Sequence, residues 1–387
     1  MSAVATLPAV ATNGAATLEV DLAAIAANAL LITRRTHAEL MAVVKADGFG
    51  HGAADVARTV LAYGATRLGV TSVEEALSLR RAGIRAPLLS WLNPLGADFA
   101  GAIVADIDLA VPSREHLDAV LAAGAPGATA ARVHLQLDTG MARDGAEPSA
   151  WPGLCRAARH AELQGRLRVV GVMGHLACAD QPAHPANEAG RTRFAWGLSV
   201  ARSVGLRPTL RHLAATAATL TDPRSHHTMV RVGAGLVGID PTGTTPLRPA
   251  LTLTAPVVTV RRVRAGTPVG YGHTWTAPRA TWLGLLPLGY ADGLPRAVSG
   301  RAEVLVRGRR CPVVGRVSMD QVVVDLGDEP VSVGEQVTLL GPGDAGEPTV
   351  AEWAAWAETL EHDIVTGFGP RVRRTIRPLP HALRSIR

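Results

Sequence analysis

Leu40-Met41-Ala42-Val43-Val44-Lys45, followed by Ala46-Asp47-Gly48-Phe49-Gly50-His51-Gly52, is the stretch on which the fold turns. Five apolar residues ending on a charge are too few for a helix. They predict a buried strand with the lysine at its C-terminal end. The glycines mark a turn, and a helical pattern then runs to about Gly64. The same alternation continues outward from it. Strand-like pieces fall near 67–71, 86–90, 107–111, 132–137, 168–173, 209–213 and 228–232, with helical patterns between them. One helix is expected at 73–82, with Gly83 after its end; another at 113–123 is capped by Ser113 and stopped by Gly124. Eight strand–helix units in about 210 residues predict a (β/α)8 barrel, with a doubly wound open sheet as the alternative.

Near residue 248 the pattern changes. Strand-like segments at 251–263, 281–287, 302–306, 311–317, 321–325 and 335–340 are separated by turns such as Gly341-Pro342-Gly343-Asp344, and a short helix is expected at 350–360. The chain is therefore expected to divide into a small mobile arm at 1–16, a barrel over 17–250 and a mainly β domain over 251–387.

Of 387 residues, 47% are hydrophobic, which is enough for large cores, and no apolar stretch approaches the ~20 residues of a membrane span. The first thirty-three residues lack Lys and Arg, so a signal peptide would have no basic n-region. Cys155, Cys178 and Cys311 are odd in number and lack metal-site spacing, which excludes a disulfide scaffold or a zinc cluster. A globular protein of the cytoplasm, with no metal, is expected. The net charge of +6 is spread over scattered arginines, and only 4% of residues are aromatic, so neither a nucleic acid nor a membrane is an expected partner. The one dense basic stretch, Arg371 to Arg387, reads as a solvated tail or an edge packed on another subunit.

The charge count holds the most telling fact. Of 39 basic residues, Lys45 is the only lysine. An amine does what a guanidinium cannot: freed of its proton, it is a nucleophile and a base. In a barrel, polar residues at strand ends mark the site. Lys45, Asp138, Arg143, His175, His212, Thr216 and Arg231 all fall at or near such ends. Residues 233–238, GAGLVG, match G-x-G-x-x-G, but Pro241 and Pro246 deny the helix a dinucleotide site needs. After an eighth strand the same glycines suit a phosphate cradle. A strand-end lysine with a phosphate loop is what pyridoxal 5'-phosphate requires: an amine to condense with the aldehyde and amides to hold the phosphate.

Residues 42–52 resemble the cofactor-lysine signature of the alanine racemases. The resemblance continues through Asp138-Thr139-Gly140-Met141-Ala142-Arg143, Met229-Val230-Arg231-Val232-Gly233, Val269-Gly270-Tyr271-Gly272, Gly289-Tyr290-Ala291-Asp292-Gly293 and Gly315-Arg316-Val317-Ser318-Met319-Asp320-Gln321. It spans roughly residues 16 to 376 in collinear order. It implies a two-base racemase of alanine, or of a related small amino acid such as serine, built as a head-to-tail homodimer with shared active sites. It further implies Lys45 as the cofactor lysine and Tyr271, from the partner subunit, as the second base. Arg143 and the Met319 N–H would hold the substrate carboxylate. Arg231 would meet the pyridine nitrogen with His175 behind it, and Thr216, Gly233 and Ala234 would bind the phosphate.

The chain departs from the family at several positions. Gln136 stands where the family usually has a carbamylated lysine. Phe49, Val237 and Ile376 stand where it usually has tyrosines, and Ala215 where it has asparagine. A related decarboxylase, which would need a β-domain cysteine as acid, and a non-catalytic cofactor carrier are the competing readings. The Tyr271 and Met319 motifs, and the β domain itself, favour the racemase.

Overall fold

The computed structural model describes residues 16–124 and 129–379. They form two compact units, one of residues 22–249 and one combining 16–21 with 250–377.

The first unit is a parallel barrel. Numbering strands in chain order from β1 (Thr17–Asp21), its staves are β2 (Glu39–Val43), β3 (Arg67–Val70), β4 (Leu88–Ser90), β5 (Asp108–Val111), β6 (Ala131–Gln136), β7 (Leu167–Met173), β8 (Leu210–His212) and β9 (Met229–Val232). Hydrogen bonding runs β8-β7-β6-β5-β4-β3-β2-β9. The remaining seam is bridged where Thr228 N donates to the Arg211 carbonyl (3.2 Å) and Arg231 N to that of Ala214 (3.0 Å). These strands read as near-continuous apolar runs because both faces are covered. Met41, Leu89, Ala110, Met173, Leu210 and Met229 pack together inside, with Trp91 against them.

Helix Leu22–Thr33 is tied down by Asn28. Its amide donates to the carbonyls of Arg248 (2.8 Å) and Leu236 (3.2 Å) and accepts from the Arg248 N–H (2.8 Å). One buried side chain thus fixes both the turn after β9 and the chain leaving the barrel.

The second unit is a nine-stranded sheet. Its further strands are β10 (Leu251–Pro256), β11 (Thr259–Val263), β14 (Thr281–Leu286), β15 (Glu303–Val306), β16 (Arg309–Val314), β17 (Val322–Gly327), β18 (Gln336–Leu340) and β19 (Arg373–Arg377), in the order β11-β14-β17-β16-β15-β18-β10-β1-β19. A separate ribbon pairs β12 (Pro268–Val269) with β13 (Trp275–Thr276). The expected strand 251–263 breaks at Val257-Val258, where the chain passes from the interior of the sheet order, at β10, to its far edge, at β11. The expected helix 350–360 ends at Ala357, where Glu358 turns left-handed (φ 55°).

Two expectations need correction. The barrel does not begin at residue 17: β1 belongs to the nine-stranded sheet, antiparallel to β10 and parallel to β19. Its alternation, with Leu18 and Val20 buried and their neighbours half-exposed, suits a sheet covered on one face and not a stave buried on both. The arm at 1–16 lies outside the described residues except for Ala16, which is buried and whose carbonyl accepts from Arg373 N at 3.0 Å. The basic stretch from Arg371 is not simply a solvated tail, because residues 373–377 form the edge strand; 380–387 lie outside the described residues. Among the described residues no helix is long and apolar enough to cross a membrane.

Asn28→Ala removes three hydrogen bonds from a buried site. It should lower the unfolding free energy by about 2–4 kcal/mol, at roughly 1 kcal/mol per bond plus the unpaired carbonyls. A melting temperature within a degree of the parent's would show that the tie contributes nothing.

Candidate active site

After Lys45 the backbone enters left-handed space and stays there. Ala46, Asp47, Gly48, Phe49 and Gly50 all have φ between 50° and 79°. Each of the three non-glycine residues costs roughly 1–2 kcal/mol in that region. Hydrogen bonds compensate. Glu75 accepts from Ala46 N (2.7 Å) with one carboxylate oxygen and from the Thr71 N–H and hydroxyl (2.9 and 2.7 Å) with the other. Asp47 accepts from Ala53 N (2.8 Å), and Gly50 N donates to the Ala46 carbonyl (2.9 Å). The turn swings Phe49 back beside the lysine, whose Nζ lies 6.0 Å from the ring centroid. Gly233 offers that ring a bare backbone: a Cβ there would fall 2.5 Å from Phe49.

Gly233 caps the tight helical turn Ala234–Val237, and the N–H groups of Gly233 and Gly235 both point to the Thr216 hydroxyl, at 3.4 Å each. Arg231, 5% exposed on β9, makes five hydrogen bonds, all to neutral partners. They go to the carbonyls of His212 (2.8 Å), Gly174 (2.7 Å) and Leu213 (3.3 Å), and to the Nδ1 atoms of His212 (3.0 Å) and His175 (3.2 Å). Burial lowers the Arg231 pKa to about 10, so it keeps its proton at neutral pH. Burial, then the charges of Arg231, Arg143 and Lys45, push His175 down to about 3, so that ring is neutral.

The loop carrying Arg143 is shaped by Asp138, which accepts from the amides of Gly140 (2.8 Å), Met141 (2.9 Å) and Ala142 (3.2 Å). Thr139 ties it to the end of β7 by donating to the His175 carbonyl at 2.5 Å. Desolvation, then the Arg143 charge, lowers the Lys45 pKa, with Glu75 opposing. Gln136 is buried with no partner for its side-chain oxygen, so no anion on β6 offsets Arg143 there.

The barrel unit thus gathers Lys45, Arg143, His175, Thr216, Arg231, Gly233 and Ala234. Tyr271 and Met319 belong to the β unit, where both side chains are exposed. Tyr271 opens a tight turn after β12 that packs on Arg316, a few residues before Met319. Sequence reasoning missed Glu75, which looks like an ordinary acid at a helix start, and the buried pair Asp108 and His134. Ile376 lies in β19 paired with Val20. Among the described residues no cluster of His, Cys, Asp or Glu could hold a metal.

A partly desolvated amine and a buried guanidinium stand at one end of a parallel barrel, beside a glycine-rich turn, which is the place and the chemistry of a barrel enzyme's site. Comparison narrows the class. Residues 20–241 match the alanine racemase N-terminal domain and 250–376 the alanine racemase C-terminal domain. The alanine racemase of Thermobifida fusca is 47% identical over 92% of this chain and 96% of its own length. The crystal structure of alanine racemase from Streptomyces lavendulae superposes with a TM-score of 0.93 at 41% identity, covering 96% of this chain and 99% of that one. The alanine racemase from Bartonella henselae, with covalently bound pyridoxal phosphate, has a TM-score of 0.85 at 25% identity, covering 94% and 99%. The chain belongs to the alanine racemase family and is a racemase.

With one lysine in the chain, its titration can be read without interference from other side-chain amines. Reductive methylation of Lys45 in the cofactor-free protein should show a midpoint below the ordinary ~10.4. Arg143→Ala should raise that midpoint, because it removes a like charge. An unchanged midpoint in the variant would mean Arg143 does not act on the amine.

Proposed function

We propose that this protein interconverts L- and D-alanine with pyridoxal 5'-phosphate held at the mouth of the barrel, in a head-to-tail homodimer of the cytoplasm whose partner subunit supplies the second base. The observation that carries the reading is the single lysine, desolvated and beside Arg143, at the end of β2.

The residues fit the cofactor. The Thr216 hydroxyl and the backbone at Gly233 and Ala234 would make a cradle for a phosphate dianion. Lys45 is the one side chain able to hold the aldehyde. Arg231 suits the pyridine nitrogen because it donates a hydrogen bond without surrendering its proton, and His175, neutral behind it, adds no competing charge. When bound, the cofactor supplies an electron sink for charge developing at the substrate's Cα.

The chain's own groups do the rest. Arg143 and the Met319 N–H hold the substrate carboxylate, which fixes the Cα–H bond relative to the bases. Racemisation removes a proton from one face of Cα and returns one to the other. The Lys45 amine serves one face and the Tyr271 hydroxyl of the partner subunit serves the other. A lowered Lys45 pKa brings the free amine closer to neutral pH, where a base is useful. A decarboxylase reading is disfavoured: Cys311 is fully buried within β16 and reaches no substrate.

Purified protein given the cofactor should develop a visible absorbance band that Lys45→Ala lacks, and should racemise alanine. A cofactor bound covalently by Lys45→Ala would overturn the lysine's role. Mixed with Tyr271→Phe under conditions where subunits exchange, Lys45→Ala should regain part of the activity. Exchange without recovery would refute the shared site.

Ile376 in place of an aromatic ring, together with a neutral amide at Gln136 in place of an anion, supports a wider pocket. One methylene is worth about 1–3 kcal/mol of discrimination. Serine or 2-aminobutyrate should therefore be racemised at a measurable fraction of the alanine kcat/KM, and Ile376→Tyr should narrow the range. Strict alanine specificity unaffected by that substitution would remove the wide-pocket reading.

A further inference from the structure

A polar thread crosses the apolar barrel interior. Starting from Arg231, one guanidinium nitrogen lies 3.0 Å from His212 Nδ1; His212 Nε2 lies 2.8 Å from His134 Nδ1; and His134 Nε2 lies 3.4 Å from a carboxylate oxygen of Asp108. Both imidazoles are fully buried, and Asp108 is 3% exposed. The other Asp108 oxygen meets Arg132 at 2.5 Å, and Arg132 is shared with Asp106 nearer the surface.

The direction of every bond in the thread follows from its first donor. A guanidinium has only donors, so His212 Nδ1 accepts, and the one proton of His212 is on Nε2. That proton goes to His134, whose Nδ1 must accept and whose own proton is therefore on Nε2, facing Asp108. A second proton on either ring would set two donors against each other. Burial, then the charge of Arg231, holds His212 far below the usual histidine range, in keeping with a neutral ring. Burial opposes the Asp108 charge, but the His134 hydrogen bond and Arg132 outweigh it and keep the carboxyl below its ordinary value.

β7 is shaped around the thread. A Cβ at Gly171 would collide with the His134 ring, and Gly171 has no unusual φ to account for its being glycine. None of the five partners of Arg231 is an anion, and a buried charge without compensation is costly. Asp108 is the carboxylate to which its hydrogen-bond chain leads.

We infer that Asp108, acting through His134 and His212, is the remote counter-charge that orients Arg231, making His134 a positioning residue for the group that faces the cofactor ring. This rests on the function proposed above. Without the thread the guanidinium swings from the ring nitrogen, which then takes up a proton. The cofactor becomes a stronger electron sink, and protonation away from Cα, which ends in transamination, gains on racemisation.

Histidine-selective 15N spectra of the cofactor-free protein test the chain directly. His134 and His212 should both be neutral and protonated at Nε2; a cationic ring, or a proton on either Nδ1, overturns it. In the loaded enzyme, His134→Leu and Gly171→Ala, which displaces His134 without altering it, should raise the ratio of transamination to racemisation at least about tenfold, the range for a lost bond to a charged group. His134→Gln, whose amide can accept from His212 and donate to Asp108, should return the ratio towards the parent value. A parent-like ratio in both disrupting variants, with only a lower melting temperature, would mean His134 merely packs, and the inference falls. A parent protein that binds no pyridoxal phosphate would sink the proposed function, while the 15N result would still decide the thread.

Discussion

A guanidinium buried without a carboxylate in contact is the constraint around which the barrel interior is arranged. Taking such an ion out of water costs several kcal/mol, and it persists only where its donors are satisfied. The ends of β7 and β8 meet that demand with main-chain carbonyls at Gly174, His212 and Leu213 turned towards Arg231, and with two imidazoles that present lone pairs. Those lone pairs require both rings to be neutral, which settles the tautomer of each neighbour in turn. Charge at one residue thereby bears on Asp108 of β5, His134 of β6, His212 of β8 and the bare Gly171 of β7, although Arg231 itself sits on β9.

A second constraint lies at the end of the neighbouring strand, β2, which pairs with β9. Five consecutive left-handed residues leave the amine at the strand end and redirect the chain at once, so no extended loop stands between Lys45 and the helix Ala53–Ala62. The strain is local and so is its compensation, from Glu75 and Asp47. The two constraints meet at Gly233, two residues after Arg231 in sequence and under the Phe49 ring in space. A side chain at 233 would collide with the Phe49 ring.

Much of this was legible in the sequence because burial leaves a pattern. Staves covered on both faces read as apolar runs, and all eight stand where those runs fall. Lys45 was legible by its uniqueness and Arg231 by its place before a glycine turn. Other features had no such signature. β1 has only Leu18 and Val20 to mark it, and its partners lie more than 200 residues away. Glu75 has the composition of an ordinary helix start, and its link to Ala46 is a tertiary fact. His134 and Asp108 sit inside strands whose apolar neighbours hide them. Glycines at 48, 50 and 52 announce a turn but not its hand, since glycine adopts either sign of φ.

The nine-stranded sheet takes its strands from both ends of the chain, with β1 seated between β10 and β19. During synthesis β1 therefore emerges well before either of its neighbours. At about 5–20 residues per second, Thr17–Asp21 waits roughly ten seconds to a minute for its partners to emerge. The barrel, drawn from the contiguous stretch 22–249, is fully translated before either neighbour exists. Maturation is thus ordered in time: the barrel can close first, while the unit that carries Tyr271 and Met319 is completed only after β19 has emerged.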